Sequence, residues 1–340
     1  PRRLVQNTFT RYNYYFNANK KMDEALANMQ RAHKENYDSL ISLFIFNPNK
    51  DSTKILSDMD SIIQKASIGI QIHDPRTKWG DDLYLLLGQA FYFKGDYENA
   101  ATAFRYIISI NQQKKKDALK NRTSKKKTDD KEMSIVEKDD SRTFDFLKHK
   151  FANNDAVLWL ARTYTDAQKE REAEAILDLL DSDKNLNEKT KGRLAIEKAY
   201  LNLNRNKERD AIQYLTEVAT DKELQKWIRT RAAYLNAQLL HQQQDYAGAS
   251  ENYQRVLDLK PKIEMDFYAR KYLAYSKLQQ GGQDEEALAD FKSLLRDGKY
   301  SNYYEQVYYV LGQLAANTNR FDEAITYLQK SVSSPKATKK

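Results

Sequence analysis

An alanine that recurs at a nearly constant interval is the feature that most constrains the fold of this chain. The intervals between its successive positions are 73, 38, 38, 38 and 37 residues, for the positions Ala100, Ala173, Ala211, Ala249, Ala287 and Ala324. Periods of this length are the signature of arrays in which each supersecondary unit packs on its neighbours. The chain is therefore predicted to build most of its fold from one repeated unit.

The stretch 81–111 indicates what the repeated unit is. Tyr84, Leu87 and Phe91 recur at i, i+3 and i+7, which is the spacing of one face of a helix. Gly95 follows at a predicted turn, and a second apolar helix begins after it. This pattern is typical of the helix-turn-helix unit of tetratricopeptide repeats, whose usual length is about 34 residues. The longer interval predicts hairpins with roughly one extra helical turn, stacked into an all-α, right-handed superhelical solenoid.

Two small residues mark where the helices of this unit are expected to come close. Gly88 lies within the face of large residues on the first helix, and Ala100 begins the contact face that Phe104 and Ile107 continue on the second. Small residues are needed where helix axes approach to about 8–10 Å or less. We therefore expect both residues to be buried against a neighbouring helix.

Two of the units depart from this pattern. The first helix before Ala211 fits only if its turn is about two residues longer than the others. The unit of Ala287 has one extra residue at Gly281-Gly282.

The scarcity of Gly (10) and Pro (5) favours long helices throughout the chain. We divide the chain into residues 1–78 with N-terminal helical hairpins of degenerate repeats, 79–111 with one tetratricopeptide unit, 112–150 with a charged insertion, 151–335 with an array of about five tetratricopeptide-like units, and 336–340 as a basic tail.

The N-terminal region contains two further helical patterns. Val5, Phe9, Tyr12 and Phe16 are predicted to form the core face of a first helix, with Ala25 on the second helix about two periods before Ala100. Tyr14 and Tyr15 lie partly off that face and are candidates to contact a partner. Ser52 is predicted to cap a helix whose apolar residues recur at i, i+4, i+7 and i+11, namely Ile55, Met59, Ile62 and Ala66.

The net charge of +8 is concentrated in the insertion and the tail. Residues 112–142 hold 11 Lys or Arg and 7 Asp or Glu, and few apolar side chains. This stretch is therefore expected to be a mobile loop or an exposed helical extension. The remaining body lacks a basic face of the kind that a duplex-binding protein needs, so nucleic acid is not an expected partner.

The residues that usually carry chemistry do not occur in catalytic patterns. The absence of Cys excludes disulfides and thiolate nucleophiles. The four histidines have neither metal-binding spacing nor a His-Glu-x-x-His motif, and the chain lacks a phosphate-binding glycine loop. We predict no enzymatic activity, no catalytic or metal-binding residues and no cofactor.

An array of helical hairpins instead offers an extended surface for protein partners. The predicted groove is lined by first-helix residues outside the core face, and Tyr and Arg are enriched at interaction hot spots. These candidate partner-binding residues are Arg162, Tyr234, Gln238, Lys271, Tyr275, Tyr309, Gln313 and Asn317. Packing between repeats is the alternative role for the tyrosines.

Four segments within residues 9–108 resemble, in order and spacing, the start of the PorW/SprE-type lipoproteins of Bacteroidetes. They read "RYNYYFNANKKMDEAL", "ENYDSLISLF", "SDMDSIIQKASIGIQIH" and "DDLYLLLGQAFYFKGDYENAATAFRYI". That family consists of tetratricopeptide proteins of the type IX secretion and gliding-motility apparatus. After residue 150 the likeness is to generic repeats only.

The resemblance implies an outer-membrane lipoprotein that faces the periplasm and links the secretion translocon to trans-envelope components. It implies that this chain is an N-terminal fragment, with the lipid-carrying Cys upstream of Pro1 as its only membrane attachment. The alternative is a cytoplasmic tetratricopeptide adaptor or regulator, in which the basic insertion tethers the protein to nucleic acid or anionic lipid. That alternative depends on Lys114–Lys116 and Lys125–Lys127.

Overall fold

The computed structural model of the chain describes residues 14–72, 79–122, 134–136, 151–281 and 284–334. Over these ranges the regular backbone is helical and forms no strand. The α-helices are α1 (Phe16–Ala32), α2 (Pro48–Asp51), α3 (Leu56–Ile72), α4 (Gly80–Lys94), α5 (Tyr97–Arg122), α6 (Asn153–Asp166), α7 (Glu170–Asp181), α8 (Glu188–Asn204), α9 (Glu208–Thr220), α10 (Lys226–Gln242), α11 (Tyr246–Asp258), α12 (Ile263–Gln279), α13 (Asp284–Leu294), α14 (Tyr304–Asn317) and α15 (Phe321–Ser333). Two 3₁₀ helices lie at Ser52–Lys54 and Gly298–Tyr303. None of the helices in these ranges combines the length and the apolar character needed to cross a bilayer.

From α4 onward, consecutive helices form hairpins around a left-handed turn residue. The turn residues have φ between 55° and 80° and are Gly95, Gln168, Asn206, Gln244, Gly281 and Asn319. Beyond five of these turn residues, the next N–H bonds to a carbonyl five residues back, as in Asp96 N to Phe91 O at 2.9 Å. This is the Schellman bond that satisfies carbonyls at a helix end. The predicted all-α solenoid of helical hairpins is confirmed.

The repeated alanine lies where the two helices of each hairpin meet. Five of the six predicted alanines are buried, with 0–4% of their surface exposed, namely Ala100, Ala173, Ala211, Ala249 and Ala324. In these five hairpins the left-handed residue comes five positions before the alanine. Gly281 comes six positions before Ala287, which confirms the extra residue predicted there. The side chain of Ala287 lies outside the described residues.

The prediction of a longer turn before Ala211 is wrong. Asn206 lies five residues before Ala211, the same spacing as in the other hairpins. The error has a physical cause, since α8 is buried on more than one face, with Ala195, Glu197 and Tyr200 only 6%, 5% and 8% exposed. A single apolar stripe is therefore a poor guide to the register of this helix.

The chain divides into two compact units, and the boundary falls within α9. The first unit contains residues 1–34 and 44–214, and its core lies among α1, α3, α4, α5 and α6. Gly88 sits where predicted, because a Cβ built on it would lie 2.5 Å from Cε1 of the fully buried Phe104. Ile55, Met59, Ile62 and Ala66 are buried as predicted. Ser52 does not cap their helix, because it begins a 3₁₀ helix and α3 starts only at Leu56.

The predicted N-terminal hairpin is not observed in the part of the chain that the structure describes. Residues 16–32 form the single helix α1, which buries Ala18, Met22 and Ala25. Phe16 is 56% exposed, so its assignment to the core is wrong, while Ala25 is buried as predicted. Val5, Phe9 and Tyr12 lie outside the described residues.

The two tyrosines proposed as partner contacts pack within the first unit. The Tyr15 ring lies 5.3 Å from the Trp79 ring, and burial raises the pKa of Tyr15 to about 12, with smaller contributions from Asp82 and other carboxylates. A Cβ on Gly69 would come within 2.9 Å of the Tyr14 Cβ, which places Tyr14 against α3.

The start of the charged insertion is a helical extension, since α5 continues to Arg122. Further along, residues 134–136 dock on the first unit. Lys115 Nζ donates to the carbonyls of Ser134 and Val136 at 2.8 Å each, and Val136 is 1% exposed. Asp183 accepts from the Val136 amide at 3.1 Å and from the Ser134 hydroxyl at 2.7 Å. The rest of the insertion and the tail from residue 335 lie outside the described residues.

The second unit contains residues 35–43 and 215–340. Its hairpins are α10 with α11, α12 with α13, and α14 with α15. Residues 35–43 belong to this unit although their chain neighbours on both sides belong to the first. That short segment determines the character of the candidate site.

Candidate peptide-binding groove

The first helices of the second unit carry six of the eight predicted partner-binding residues at equivalent repeat positions. Tyr234 and Tyr309 lie 15 residues before their repeat alanines, and Gln238 and Gln313 lie 11 residues before them. Lys271 and Tyr275 take the same places on α12, shifted by the extra residue. We call the surface formed by these side chains on α10, α12 and α14 the groove.

The chain's own residues 35–43 occupy the part of the groove formed by α10 and α12. The segment starts with a turn at Asn36, whose side-chain Oδ1 accepts the Asp38 N–H at 3.1 Å and whose carbonyl accepts the Ser39 N–H at 3.3 Å. Side chains of Asn commonly make such turns. Ile41 and Leu43, two residues apart, are then 3% and 1% exposed. The segment therefore combines a polar turn with a short buried apolar pair.

Groove side chains hold this segment by its main chain. The Gln238 amide donates to the carbonyls of Ser39 at 2.7 Å and Tyr37 at 3.3 Å, and its Oε1 accepts the Ile41 N–H at 3.0 Å. Tyr234 OH donates to the Tyr37 carbonyl at 3.0 Å. Buried main-chain groups need such partners, because an unpaired one costs about 1–3 kcal/mol. One amide side chain thus satisfies three main-chain groups that have no helical partner.

Arg231 recognises both ends of the segment. Its guanidinium pairs with the Glu35 carboxylate at 2.5 Å and donates to the carbonyls of Ser42 and, at 3.3 Å, Leu43. Arg231 is 5% exposed, and the Glu35 side chain is 13% exposed. Truncating one partner of a buried ion pair is strongly destabilising, because it leaves the other charge uncompensated. Arg231 therefore couples the segment tightly to α10.

Lys271 and Tyr272 on α12 recognise the acidic side chain at the tip of the turn. Lys271 Nζ lies 2.6 Å from Asp38 Oδ1, and Tyr272 OH donates to the same oxygen at 2.9 Å. The Lys271 and Asp38 side chains are only 17% and 33% exposed, so water screens the pair less than it would screen a surface pair. The position of the carboxylate is thus specified by a charge and a hydroxyl together.

Tyr37 anchors the segment among aromatic rings. Its ring lies 5.4 Å from Tyr234 in an edge-on arrangement and 5.5 Å from Tyr268. Burial raises the pKa of Tyr37 to about 12, against the opposing effect of Arg231. Aromatic pairs at these separations add about 0.5–1.5 kcal/mol beyond the burial of their area. The aromatic ring and the carboxylate of Asp38 together form the recognised side-chain pattern.

The part of the groove on α14 remains accessible. Tyr275 OH donates to Gln313 Oε1 at 2.6 Å, and Gln313 Nε2 donates to Tyr309 OH at 3.0 Å. Tyr309 is 49% exposed and Asn317 is also exposed. Tyr309 and Gln313 repeat, 75 residues later, the Tyr234 and Gln238 pair that holds residues 35–43. The pair on α10 is therefore covered by residues 35–43, whereas on α14 the tyrosine of the pair is exposed.

The predicted groove residue in the first unit, Arg162, is committed to internal packing. Its guanidinium forms a two-point ion pair with Glu197, with Nε 3.0 Å from Oε2. It also stacks on the rings of Phe44 at 3.8 Å and Trp159 at 4.6 Å. The prediction that Arg162 is a partner-binding residue has no support in these contacts.

Asp166 is a buried acid of the first unit, and its pKa differs from the ordinary value. It is 6% exposed, and it accepts hydrogen bonds from the hydroxyls of Tyr92 and Tyr200 at 2.6 Å each. Burial raises the pKa of its carboxyl, and the two hydrogen bonds oppose this effect. Its partners are phenols that join α4 to α8, which is the geometry of a structural tie between helices. Within the described ranges, His, Asp and Glu side chains form no cluster of three or more that could hold a metal ion.

Several groove residues were missed by the sequence analysis. Arg231 and Tyr272 lie near the predicted positions on α10 and α12. They were not selected, because the candidates were chosen only by their repeat position outside the core face of each first helix. The bound segment was missed because it lacks helical periodicity. The alternation of Ile41 and Leu43 indicates extended chain, although nothing in the sequence indicates which surface it covers.

Comparison with known proteins identifies the repeats. The tetratricopeptide repeat family model matches residues 81–114, 230–263 and 305–337, which cover most of the hairpins that begin with α4, α10 and α14. Three of the predicted units therefore match the tetratricopeptide repeat, as predicted. No curated protein matches the sequence.

Two solved structures are similar to the chain at low identity. A tetratricopeptide repeat protein from Parabacteroides merdae ATCC 43184 has 15% identity and a TM-score of 0.37, with 85% of this chain and 92% of that chain covered. The assembly chaperone of RpL4 (Acl4) has 14% identity and a TM-score of 0.33, with 83% and 100% covered.

Proposed function

We propose that this chain is a non-enzymatic scaffold that binds protein partners through peptide segments laid in the groove of its second unit. Tetratricopeptide repeats are protein-interaction modules. The observation that carries the proposal is the way Gln238 and Tyr234 hold the main chain of residues 37–41. A surface that satisfies the main chain of one non-helical segment has the chemistry to bind another.

The accessible pair on α14 is the proposed contact for a partner. Tyr309 and Gln313 carry the same hydroxyl and amide groups as the covered pair at the same repeat positions, and here the amide bonds to the hydroxyls of Tyr275 and Tyr309. The exposed Tyr309 ring adds a rigid aromatic surface of the kind that is enriched at interaction hot spots. Asn317, one turn further along, extends the polar surface of the helix.

A photo-crosslinking experiment tests this assignment. A photoreactive phenylalanine replaces Tyr309 in the full-length protein, in its native cell. We expect a discrete adduct with a protein partner, and we expect Gln313→Ala to remove most of it. The matched position is Leu179 on α7, which is 54% exposed but lies on a second helix. Equal adducts at both positions, or adducts that do not depend on Gln313, would contradict the proposal.

The proposed cellular setting comes from the resemblance of residues 9–108 to the PorW/SprE-type lipoproteins. In that setting the protein is a lipid-anchored component on the periplasmic face of the outer membrane, and it links the type IX translocon to trans-envelope components. Palmitate labelling and membrane fractionation of the full-length protein test the placement, and loss of type IX cargo secretion on depletion tests the role. Recovery in the cytosol without lipid would contradict both.

The cytoplasmic adaptor with a basic tether gains no support from the described part of the insertion. The Lys115 ammonium is used by two main-chain carbonyls, and Lys114 Nζ lies 4.1 Å above the centre of the Phe151 ring. Lys125–Lys127 lie outside the described residues. We therefore propose no second function.

A further inference from the structure

Residues 35–43 resemble a bound ligand more than a connecting loop. Connecting segments usually run over the surface with few specific contacts. In this one Tyr37, Ile41 and Leu43 are buried, and Gln238 forms hydrogen bonds with its main chain. Its two acidic side chains each meet a cation, Glu35 at Arg231 and Asp38 at Lys271.

From these contacts we infer that the α10–α12 part of the groove is a recognition site for a peptide turn with an aromatic residue followed by an acidic one. Residues 35–43 are its resident intramolecular ligand. A partner segment of the same chemistry binds there by displacing them. This inference rests on the proposed function, because it specifies which peptides the groove accepts.

The chemistry of the site sets the partner's pattern. The ring of the partner enters between Tyr234 and Tyr268, and the next side chain carries a carboxylate to Lys271 and Tyr272. An upstream acidic residue meets Arg231, and downstream apolar residues replace Ile41 and Leu43. Since much of the hydrogen bonding is to main chain, the remaining sequence of the partner is weakly specified.

A tethered ligand suppresses a free competitor of equal intrinsic affinity. Even a short flexible linker gives a tethered ligand an effective concentration on the order of millimolar. The apparent affinity of a free peptide falls by the fraction of molecules whose site is open. The unmodified chain is therefore expected to bind a free copy of the segment weakly, and weakening the resident segment should strengthen that binding.

The test exchanges the charges of the Asp38–Lys271 pair. The probe is a fluorescent peptide with the sequence of residues 33–45, made with either Asp or Lys at the position of Asp38. Binding is measured by anisotropy to the full chain and to its Asp38→Lys and Lys271→Glu variants. In both variants the resident segment meets a like charge at this contact. Its binding should therefore weaken, which makes the site more available to the probe peptide.

We expect the preference between the two peptides to invert. The Asp38→Lys protein, which keeps Lys271, should bind the Asp peptide at least about tenfold more tightly than the Lys peptide. The Lys271→Glu protein should prefer the Lys peptide by a similar factor. The unmodified chain should bind both weakly, as should the control Lys262→Glu, which changes an exposed lysine at the start of the same helix.

An inversion of preference is not produced by loss of stability, and thermal melts of each variant verify that it is folded. Equal binding of both peptides, or no binding to either folded variant, would overturn the inference. If that result occurs while the Gln313-dependent crosslink at Tyr309 persists, the proposed scaffold function stands without this site. Loss of the crosslink with intact peptide inversion would instead remove the α14 surface from the proposed function.

Discussion

At the scale of single residues, close approach between helices depends on glycine and other small residues at the contact. A Cβ on Gly88 would meet three atoms of the buried Phe104 ring at 2.5–2.9 Å. The first helix therefore tolerates its glycine because the second helix uses the space.

Gly88→Ala should accordingly destabilise the first unit by roughly 1–3 kcal/mol, because the fully buried Phe104 ring would have to shift to accommodate the added methyl group. Chemical denaturation monitored by circular dichroism measures this. The matched variant is Gly298→Ala, since a Cβ there meets nothing within 4 Å. Equal effects of the two substitutions would contradict the assigned packing.

His241 on α10 links the stability of the second unit to pH. Its Nδ1 lies 2.9 Å from Ser276 Oγ, and its ring packs edge-on against Tyr246 and Tyr272. Burial lowers the pKa of His241 below its ordinary value. The unfolded chain therefore takes up a proton on this side chain at a higher pH than the folded chain.

The free energy of unfolding should consequently fall as the pH drops below about 6.5, the ordinary histidine value. His241→Gln keeps a hydrogen-bonding group near Ser276 but does not titrate, so part of this acid sensitivity should disappear. Urea unfolding at pH 7.5 and pH 5.5 measures it. His33→Gln, a change at an exposed histidine, is the control variant. A loss of unfolding free energy at pH 5.5 that is the same in His241→Gln and in the original chain would contradict the assignment.

At the scale of elements, the sequence predicted the helical hairpins correctly wherever a residue type at a given position has only one structural role. The repeat alanine and the turn before it located the hairpins from α4 onward, because a small residue at a crossing and a left-handed turn residue leave few alternatives. The extension of this register to residues 16–32 failed because α1 has no turn residue between Phe16 and Ala32. Periodicity was also insufficient for α8, which is buried on more than one face.

Two neighbouring glutamines test the turn assignment directly. Gln244 has φ of 62°, whereas Gln243 has φ of −81°. Gln244→Gly should stabilise the second unit by up to about 1–2 kcal/mol, because glycine avoids the left-handed penalty. Gln243→Gly should be neutral or destabilising, because glycine only increases the freedom of the unfolded chain. Thermal melts compare them, and the opposite order would mean that the turn is one residue earlier.

The candidate site was predictable only in part, because the sequence indicates its helices but not the distant segment that they bind. Tyr234, Gln238 and Lys271 follow from their positions on first helices, and all three contact a peptide segment. The segment itself lies about 190–230 residues away in sequence. Contacts between an extended segment and a distant helix leave no periodic trace in either one.

At the scale of the whole molecule, the second unit is a stack of hairpins whose helices α10 and α12 hold residues 35–43, a segment from the N-terminal region. Its groove side chains satisfy main-chain groups that no helix satisfies. This is the observation behind the proposal that the groove also binds the chain of another protein. The most specific of these contacts is the hydrogen bond from the Ile41 amide to Gln238.

The Ile41 amide provides the most direct measurement. Its N–H donates to Gln238 Oε1 from a residue that is 3% exposed. Hydrogen exchange should therefore show Ile41 protected in the unmodified chain. Gln238→Leu should expose the amide while leaving α4 and α5 in the first unit protected. Rapid exchange of Ile41 in the unmodified chain, at the rate of an unstructured peptide, would contradict the claim that the groove binds an extended segment.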